Sequence, residues 1–336
     1  MKRYSMLAIL IVVSACISVS GYSQDYRIEV LQVTSIDPFD KSYRGFIDEL
    51  ANNGIVEGQN LTVNRRIVDF DVEKGGLWKK VGVLMSIRSE ASDIVKAKPD
   101  LALTIGTPAT KYAKDRIISA GIPLVFTAVA IPEAAGCKSL SEAGDGFTGA
   151  TLYMDMKGIL QIARLAFPDM NTFGIVHTDD DNALAQVEEA KVKAPQIGMS
   201  VLTKEINKRD SIRPALAELS ENGAQAFAVP LDTYYGMRNY EPCMELGEES
   251  LARNIPVFSM ALLKVPGAVL YIGSDFGVIG SLSGQQAVKI LKEGASPGSL
   301  PILKQEELKI LVDTRCMKEM NLQLPIEVLQ LAKDVD

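Results

Sequence analysis

The residues with catalytic or metal-binding potential centre on one short stretch. His177 is the only histidine in the chain, and three aspartates follow it at positions 179–181. A hydrolase would need a serine nucleophile on a strand-to-helix turn beside this histidine, and we predict no such turn. A single histidine also excludes metal sites that need several imidazole ligands. We therefore expect His177 to be structural or to neighbour a ligand, and the protein not to be an enzyme.

The aspartates at 179–181 admit two interpretations. Their spacing lacks the D-x-D-x-D-G pattern and the closing glutamate of a calcium loop. Carboxylates that precede a helix accept hydrogen bonds from its free N–H groups and complement its dipole. The cluster is therefore either a helix cap alone or a cap that also touches a ligand.

Small and polar residues also follow several predicted buried strands. Gly106-Thr107-Pro108 joins a strand to a helix without either glycine-rich nucleotide pattern. Exposed N–H groups at such a helix N-terminus suit a ligand carboxylate. The other candidates at strand ends or helix starts are Thr127, Ala128, Asp232 and Asp275. Because ligands of open α/β sheets bind beyond the carboxyl ends of the strands, these residues are either ligand contacts or solvated turn residues.

The elements that must position these residues alternate along the chain. From residue 26 onward, apolar strand-like runs alternate with segments of helical periodicity, which predicts βαβ units and parallel sheets. Two successive blocks predict the fold class α/β, with two doubly wound, Rossmann-like lobes joined by a hinge. We expect residues 24–138 and 273–300 to form lobe 1, and residues 139–272 and 301–336 to form lobe 2. The extended runs at 147–152 and 268–273 are interpreted as crossovers between the lobes.

Length and composition agree with a two-domain globular protein. The chain has 336 residues and a net charge of −7, with acidic and basic residues mixed along it. No basic stripe indicates nucleic acid as a partner. The cysteines at 16, 137, 243 and 316 are widely spaced and fit neither a disulfide framework nor a zinc site. We expect no cofactor and no metal.

The first residues have the pattern of an export signal. Lys2 and Arg3 precede an apolar run at 7–13 that is too short for a comfortable membrane span. We predict an export signal at 1–23, and a monomer in the periplasm or on the outer face of the cytoplasmic membrane. Residues 13–16 also resemble a lipobox, which would make 1–15 a lipoprotein signal with the lipid on Cys16. The other outcome is cleavage after Ser23; a lipid anchor would be the only membrane contact.

Several longer pieces carry a family resemblance. They are residues 98–109, 122–129, 132–136, 147–149, 167–169, 173–176, 255–257, 273–275 and 287–294. From about residue 27 to 325 the chain resembles the ABC_sub_bind family, the tryptophan/tyrosine-type substrate-binding proteins of ABC transporters. The resemblance implies a type I periplasmic-binding-protein fold whose lobes close on a ligand without catalysis. It also implies an ABC permease and its ATPase subunit as partners, and a small-molecule ligand, which in known relatives is an aromatic or other small amino acid.

The resemblance further implies a set of ligand contacts. In chain order they are Thr107, Ala109, Thr127, Ala128, Asn182, Asp232 and Asp275. The first two would offer donors to a carboxylate, the next two would lie at the hinge, Asn182 would open a helix of lobe 2, and the two aspartates would suit an ammonium group. Tyr234, Tyr235 and Phe39 are candidates to wall an apolar ligand side chain. The chain departs from the family pattern around the cleft, at Ile131, Ala183 and Thr233. The alternative function is a ligand sensor that feeds a signalling system.

Overall fold

The computed structural model describes residues 25–68, 77–263 and 265–335. The predicted export signal at 1–23 and the candidate lipid site Cys16 lie outside these ranges. Within them, no helix combines the length and the apolar character needed to cross a bilayer.

The first sheet is parallel throughout, and four helices cover it. Its strands, with labels in chain order, are β1 (Tyr26–Val33), β2 (Leu61–Val68), β3 (Leu101–Ile105), β4 (Leu124–Val129), β5 (Phe147–Thr151) and β11 (Leu303–Lys304). They lie in the order β11-β5-β4-β3-β1-β2. The helices are α1 (Asp37–Asn52), α2 (Leu77–Ala97), α3 (Thr107–Ser119) and α8 (Phe276–Glu293). Strands β3 and β4 are buried along their whole length, as parallel strands covered on both faces must be.

The second sheet repeats this plan with one antiparallel pair. Its strands are β6 (Thr172–His177), β7 (Ser200–Glu205), β8 (Ala226–Val229), β9 (Val257–Ser259), β10 (Ala268–Gly273), β12 (Lys309–Val312) and β13 (Lys333–Asp334). They lie in the order β13-β12-β10-β9-β8-β6-β7, and only β10 and β12 run antiparallel. The helices are α4 (Met156–Ala166), α5 (Asp181–Lys193), α6 (Arg213–Glu221), α7 (Glu241–Arg253), α9 (Thr314–Glu319) and α10 (Ile326–Leu331). The predicted fold class, two doubly wound α/β lobes, is confirmed.

Strands β5 and β11 belong to the first sheet, whereas the sequence-based division assigned both of them to lobe 2. Residues 139–272 and 301–336 were expected in lobe 2, yet β5 pairs with β4 and β11 pairs with β5 in the first sheet. A strand's own sequence does not encode which sheet edge accepts it, so a boundary drawn from the loop before β5 falls too early. The chain passes between the sheets after β5, between β10 and α8, and between β11 and β12.

Close helix packing attaches α8 to the first lobe. A Cβ on Gly45 of α1 would lie 2.1 Å from the Gly277 carbonyl oxygen, and one on Gly280 would lie 2.0 Å from the Ser42 carbonyl oxygen. Ser42 also donates its hydroxyl to the Phe276 carbonyl at 3.0 Å. Only glycine permits this approach of two backbones, so these positions fix α8 against α1.

Candidate ligand-binding site

The turn between β3 and α3 leaves the helix N-terminus without a side-chain cap. Gly106 is the N-cap residue, with φ of 88°, a region that glycine adopts without steric cost. A Cβ there would lie 3.0 Å from Cζ of Phe39, so glycine also makes room for this ring. Pro108 in the first turn lacks an N–H, as is common at this position. The first turn of α3 therefore presents backbone N–H groups and the Thr107 hydroxyl.

Asn182 of the second lobe meets this turn. Asp180 caps α5 by accepting a hydrogen bond from the Asn182 N–H at 2.9 Å. The Asn182 amide oxygen accepts hydrogen bonds from the Thr107 hydroxyl and from the Ala130 N–H, the latter at 3.3 Å. Asn182 and Thr107 are both buried. The structure thus brings two predicted site residues together across the lobes, and the cap interpretation of the aspartates is confirmed for Asp180.

The end of β4 combines a buried hydroxyl with an unusual backbone. The Thr127 hydroxyl is buried and forms no hydrogen bond with the part of the chain that the structure describes. Ala128 has φ of 55°, in the left-handed region that residues with a Cβ rarely adopt. Such conformations cluster at binding and switch sites. Ala109 of α3 is fully buried and belongs to the hydrophobic core of the first lobe.

Asp232 connects two loops of the second lobe. Its carboxylate accepts hydrogen bonds from the Thr178 N–H at 2.6 Å, the Thr178 hydroxyl at 3.0 Å and the Tyr234 N–H at 2.9 Å. Burial, and next the nearby Asp180 charge, raise the pKa of Asp232 to about 6, against the opposing charge of Lys208. The Asp232 carboxylate therefore bridges the loop that contains Thr178 and the loop that contains Tyr234.

Asp180 reinforces the same connection. Its second oxygen accepts a hydrogen bond from the Thr233 hydroxyl at 2.7 Å and lies 3.6 Å from the Lys208 ammonium. Together, the Asp180 and Asp232 carboxylates join the loop at 177–182 to the loop at 230–234, and so hold Asn182 in place. Sequence reasoning missed Lys208, because this residue lies on a third loop and has the pattern of an ordinary surface lysine.

Asp275 serves a different part of the fold. It caps α8 by accepting from the Gly277 N–H at 2.8 Å, and it pairs with the Lys309 ammonium at 2.8 Å. Burial alone would raise the pKa of Asp275, but the hydrogen bond and charge of Lys309 outweigh it and lower that pKa. The structure does not bring Asp275 into hydrogen-bond contact with Thr107 or Asn182.

His177 and two tyrosines belong to the protein framework. The Nδ1 atom of His177 lies 3.0 Å from the Thr178 carbonyl oxygen, and the residue is buried. The Tyr234 hydroxyl donates to the Asp210 carbonyl and the Tyr235 hydroxyl to the Val176 carbonyl, each at 2.8 Å. Both rings are fully buried in the core, so neither is placed to wall a ligand. Phe39, which packs on the α3 turn, remains the aromatic candidate.

The described ranges contain no cluster of metal ligands. No group of three or more histidine, cysteine or acidic side chains there could hold a metal ion. Residues 294–298 match the sequence pattern G-x-S-x-G, but Gly294 is the C-cap of α8, so the serine does not follow a strand as a nucleophile must. Cys137, Cys243 and Cys316 are free and buried, and burial raises the pKa of their thiols to about 12, 12 and 11.

Two α/β lobes whose helix N-termini face each other across polar strand ends have the type I periplasmic-binding-protein fold. The family model for "ABC transporter substrate binding protein" matches residues 27–336. The chain belongs to this family. Its members bind substrates and are not enzymes, so the non-catalytic prediction is confirmed.

Individual relatives agree with this assignment. The chain is 25% identical over 300 residues to a "Tyrosine-binding protein" of Clostridioides difficile (strain R20291), covering 88% of this chain and 81% of that one. It superposes with a TM-score of 0.74 and 22% identity on an ABC domain in complex with L-Trp from Streptococcus pneumonia, covering 92% of this chain and 100% of the other. A ligand-free, open substrate-binding protein with adhesive properties from Clostridium difficile superposes with a TM-score of 0.69 and 23% identity, covering 93% and 99%.

Proposed function

We propose that this protein captures a small solute, an aromatic amino acid, between its lobes as the substrate-binding component of an ABC importer. The observation that carries the proposal is the meeting of the uncapped α3 N-terminus with Asn182, beside the buried Thr127 hydroxyl. Helix N-termini attract anions through free N–H groups and the helix dipole. A ligand carboxylate would therefore bind at the first turn of α3, where the Ala109 N–H supplies a donor and the Thr107 hydroxyl would turn from Asn182 to the carboxylate.

The ligand ammonium needs negative charge on the opposite side. We assign it to the second lobe, where Asp180 and Asp232 place two buried carboxylates against a single nearby lysine. Asp275 is the weaker candidate, because Lys309 already neutralises it. Phe39 would contact the ligand side chain. The tyrosine-binding relative and the L-Trp complex support an aromatic amino acid as ligand.

The importer role implies a location outside the cytoplasm and a cycle between open and closed lobes. The signal at 1–23 would export the protein, with or without a lipid on Cys16, and the loaded monomer would dock on a permease driven by an ATPase subunit. Ligand would shift the lobes toward the closed form, because it contacts both of them only there. The open, ligand-free relative supports such a cycle.

A thermal-shift and calorimetric screen tests the ligand class. Ligand that binds the folded state raises the melting temperature by mass action. We expect L-tyrosine or L-tryptophan to do so, and their amides and decarboxylated amines to fail, because both lack the carboxylate. A flat response to every amino acid would refute the proposal.

One variant pair tests the carboxylate contact. Thr107→Val keeps the shape of the side chain but removes the donor, and a hydrogen bond to a charged group contributes ~1.5–3 kcal/mol, so affinity should fall about 10- to 100-fold. Thr62→Val is the matched control, because Thr62 is exposed on β2. Equal affinities of the two variants would remove Thr107 from the site.

A further inference from the structure

A glycine of the second lobe faces an isoleucine of the first. Gly236 ends the short 3₁₀ helix Thr233–Gly236, and Ile36 is the N-cap residue of α1. Outside its own chain segment, a Cβ on Gly236 would lie within 4 Å of only two atoms of the described chain, Cγ2 and Cβ of Ile36, at 3.3 and 3.7 Å. The first atoms that a side chain at position 236 would meet therefore belong to the other lobe.

The backbone of Gly236 does not itself require glycine. Its φ lies outside the left-handed region, so a residue with a Cβ can adopt this conformation without strain. No neighbour in the second lobe limits the size of the residue within 4 Å, since the only nearby atoms are those of Ile36. The missing side chain therefore matters only when the two lobes are close together.

Neither side of this contact can easily retreat. The two residues before Gly236, Tyr234 and Tyr235, are buried, and each donates its hydroxyl to a backbone carbonyl at 2.8 Å. Ile36 is β-branched and therefore stiff at χ1, and its carbonyl accepts from the Phe39 N–H of α1 at 3.0 Å. Extra bulk at this contact would therefore push the lobes apart, because it cannot be absorbed locally.

A second observation places the same segments together. Burial, and next the charge of Asp37 on α1, raise the pKa of Tyr240. Arg238, Asn239 and Tyr240 have φ between 50° and 64°, a conformation that residues with a Cβ keep only where surrounding packing enforces it. The segment 236–240 therefore meets the start of α1 in the arrangement of the lobes that the structure shows.

We propose that Gly236 determines how far the lobes close on a ligand, because its missing side chain lets the second lobe reach Ile36. This role rests on the ligand-driven closure proposed above, and it belongs to a residue outside the predicted ligand contacts. Gly236 is a positioning residue, since it acts through Ile36. A side chain at position 236 would make the closed form rarer, and apparent affinity falls in proportion to the population of the form that binds.

Calorimetry with L-tyrosine and L-tryptophan tests this role. Gly236→Leu places a branched side chain against Ile36, and overpacking of this kind changes an equilibrium about 5- to 100-fold, so affinity should fall by that factor. Ile36→Ala makes room, so the double variant should bind within about threefold of Ile36→Ala alone, as expected of two residues in contact. Gly158→Leu on α4 is the matched control, because a Cβ there has open space around it and affinity should not change.

Cross-linking measures closure without any ligand. The Lys111 ammonium of α3 in the first lobe lies 3.0 Å from an Asp181 oxygen of α5 in the second. With Lys111→Cys, Asp181→Cys and Cys16→Ser, dibromobimane joins the two new thiols only when the lobes meet, since the three described cysteines of the natural chain are buried. We expect Gly236→Leu to slow this cross-link about 5- to 100-fold, and Ile36→Ala to restore its rate.

The outcomes separate the closure contact from the ligand class. Equal affinities and cross-linking rates of Gly236→Leu and the chain without it would overturn the role of Gly236, and so would a loss that Ile36→Ala does not reverse. If Gly236→Leu does not fold, Gly236→Ala decides in the same way with a smaller change. A chain that binds no amino acid, but cross-links at rates set by residues 236 and 36, would retain this role and refute the proposed function. A chain that binds an amino acid equally well with and without Gly236→Leu would do the reverse.

Discussion

Asp232 should make the protein more stable as the pH falls from 7 toward 4, opposite to the usual effect of a carboxylate. Burial and the Asp180 charge raise the pKa of Asp232 from 3.8 to about 6 in the folded state. Above pH 6 the carboxylate is charged in both the folded and the unfolded state, and the folded state bears the full free-energy cost of burying that charge. Between pH 6 and 3.8 the folded state takes up a proton that the unfolded state does not, so the free energy of unfolding rises.

The size of the effect follows from the pKa difference. Each pKa unit corresponds to 1.36 kcal/mol, so a shift of about two units gives at most ~3 kcal/mol, most of it gained by pH 4. No reduction for solvent screening applies, because only 4% of Asp232 is exposed. Asp232→Asn removes the titration at this site while keeping the size of the side chain.

Urea denaturation at pH 7, 5.5 and 4 measures this contribution. The unfolding free energy of the unaltered protein minus that of Asp232→Asn should increase by about 2–3 kcal/mol over the series. Asp115→Asn is the control, because the Asp115 side chain is 86% exposed, and its difference should stay nearly constant. A difference that is flat or decreases for Asp232→Asn would show that its hydrogen bonds with Thr178 and Tyr234 outweigh burial, and the reasoning would fail.

Three further substitutions have definite expected outcomes. Thr127→Val should leave the midpoint of urea unfolding unchanged or slightly higher, because the buried hydroxyl has no hydrogen-bond partner in the described chain. Calorimetry should show that its affinity for the ligand is reduced about fivefold or more. A loss of stability with intact affinity would contradict this prediction. Ala128→Gly should raise the unfolding free energy by ~0.5–1 kcal/mol, the relief of a left-handed alanine less the entropy cost of glycine; a decrease would mean that the methyl packing dominates. Gly45→Ala should lower the melting temperature by more than 5 °C, because its Cβ would lie 2.1 Å from a backbone oxygen; Gly82→Ala on α2, with open space around it, is the control.

Side-chain periodicity predicted the helices and strands better than it predicted which strands pair with each other. The alternation of strand-like runs with helical periodicity predicted βαβ units and parallel sheets, and the structure contains both, because side-chain periodicity is a local pattern. The pairing of β5 with β4 has no such pattern, since strand partners are chosen by long-range packing. The lobe boundary at residue 138 was therefore wrong, although the strand itself was recognised as an extended run.

In the candidate site, too, individual residues could be predicted from the sequence but their contacts could not. Thr107 was selected from its position at a helix start and Asn182 from the family resemblance, and the structure brings them into contact. Their direct bond joins residues 75 positions apart, and no local pattern encodes that distance. Lys111 and Lys208 were missed for the same reason, because an exposed-looking lysine acquires a role only when another loop supplies its aspartate.

The attachment of α8 to α1 has a consequence for folding during synthesis. The first lobe cannot complete its core until residues 276–304 have left the ribosome, because α8 and β11 belong to it. Contacts such as that between Ser42 and Phe276 span 234 positions, and closing such long loops is slow. The first lobe therefore completes its folding only after most of the chain has been synthesised, whereas the strands β6 to β10 of the second sheet are close together in sequence.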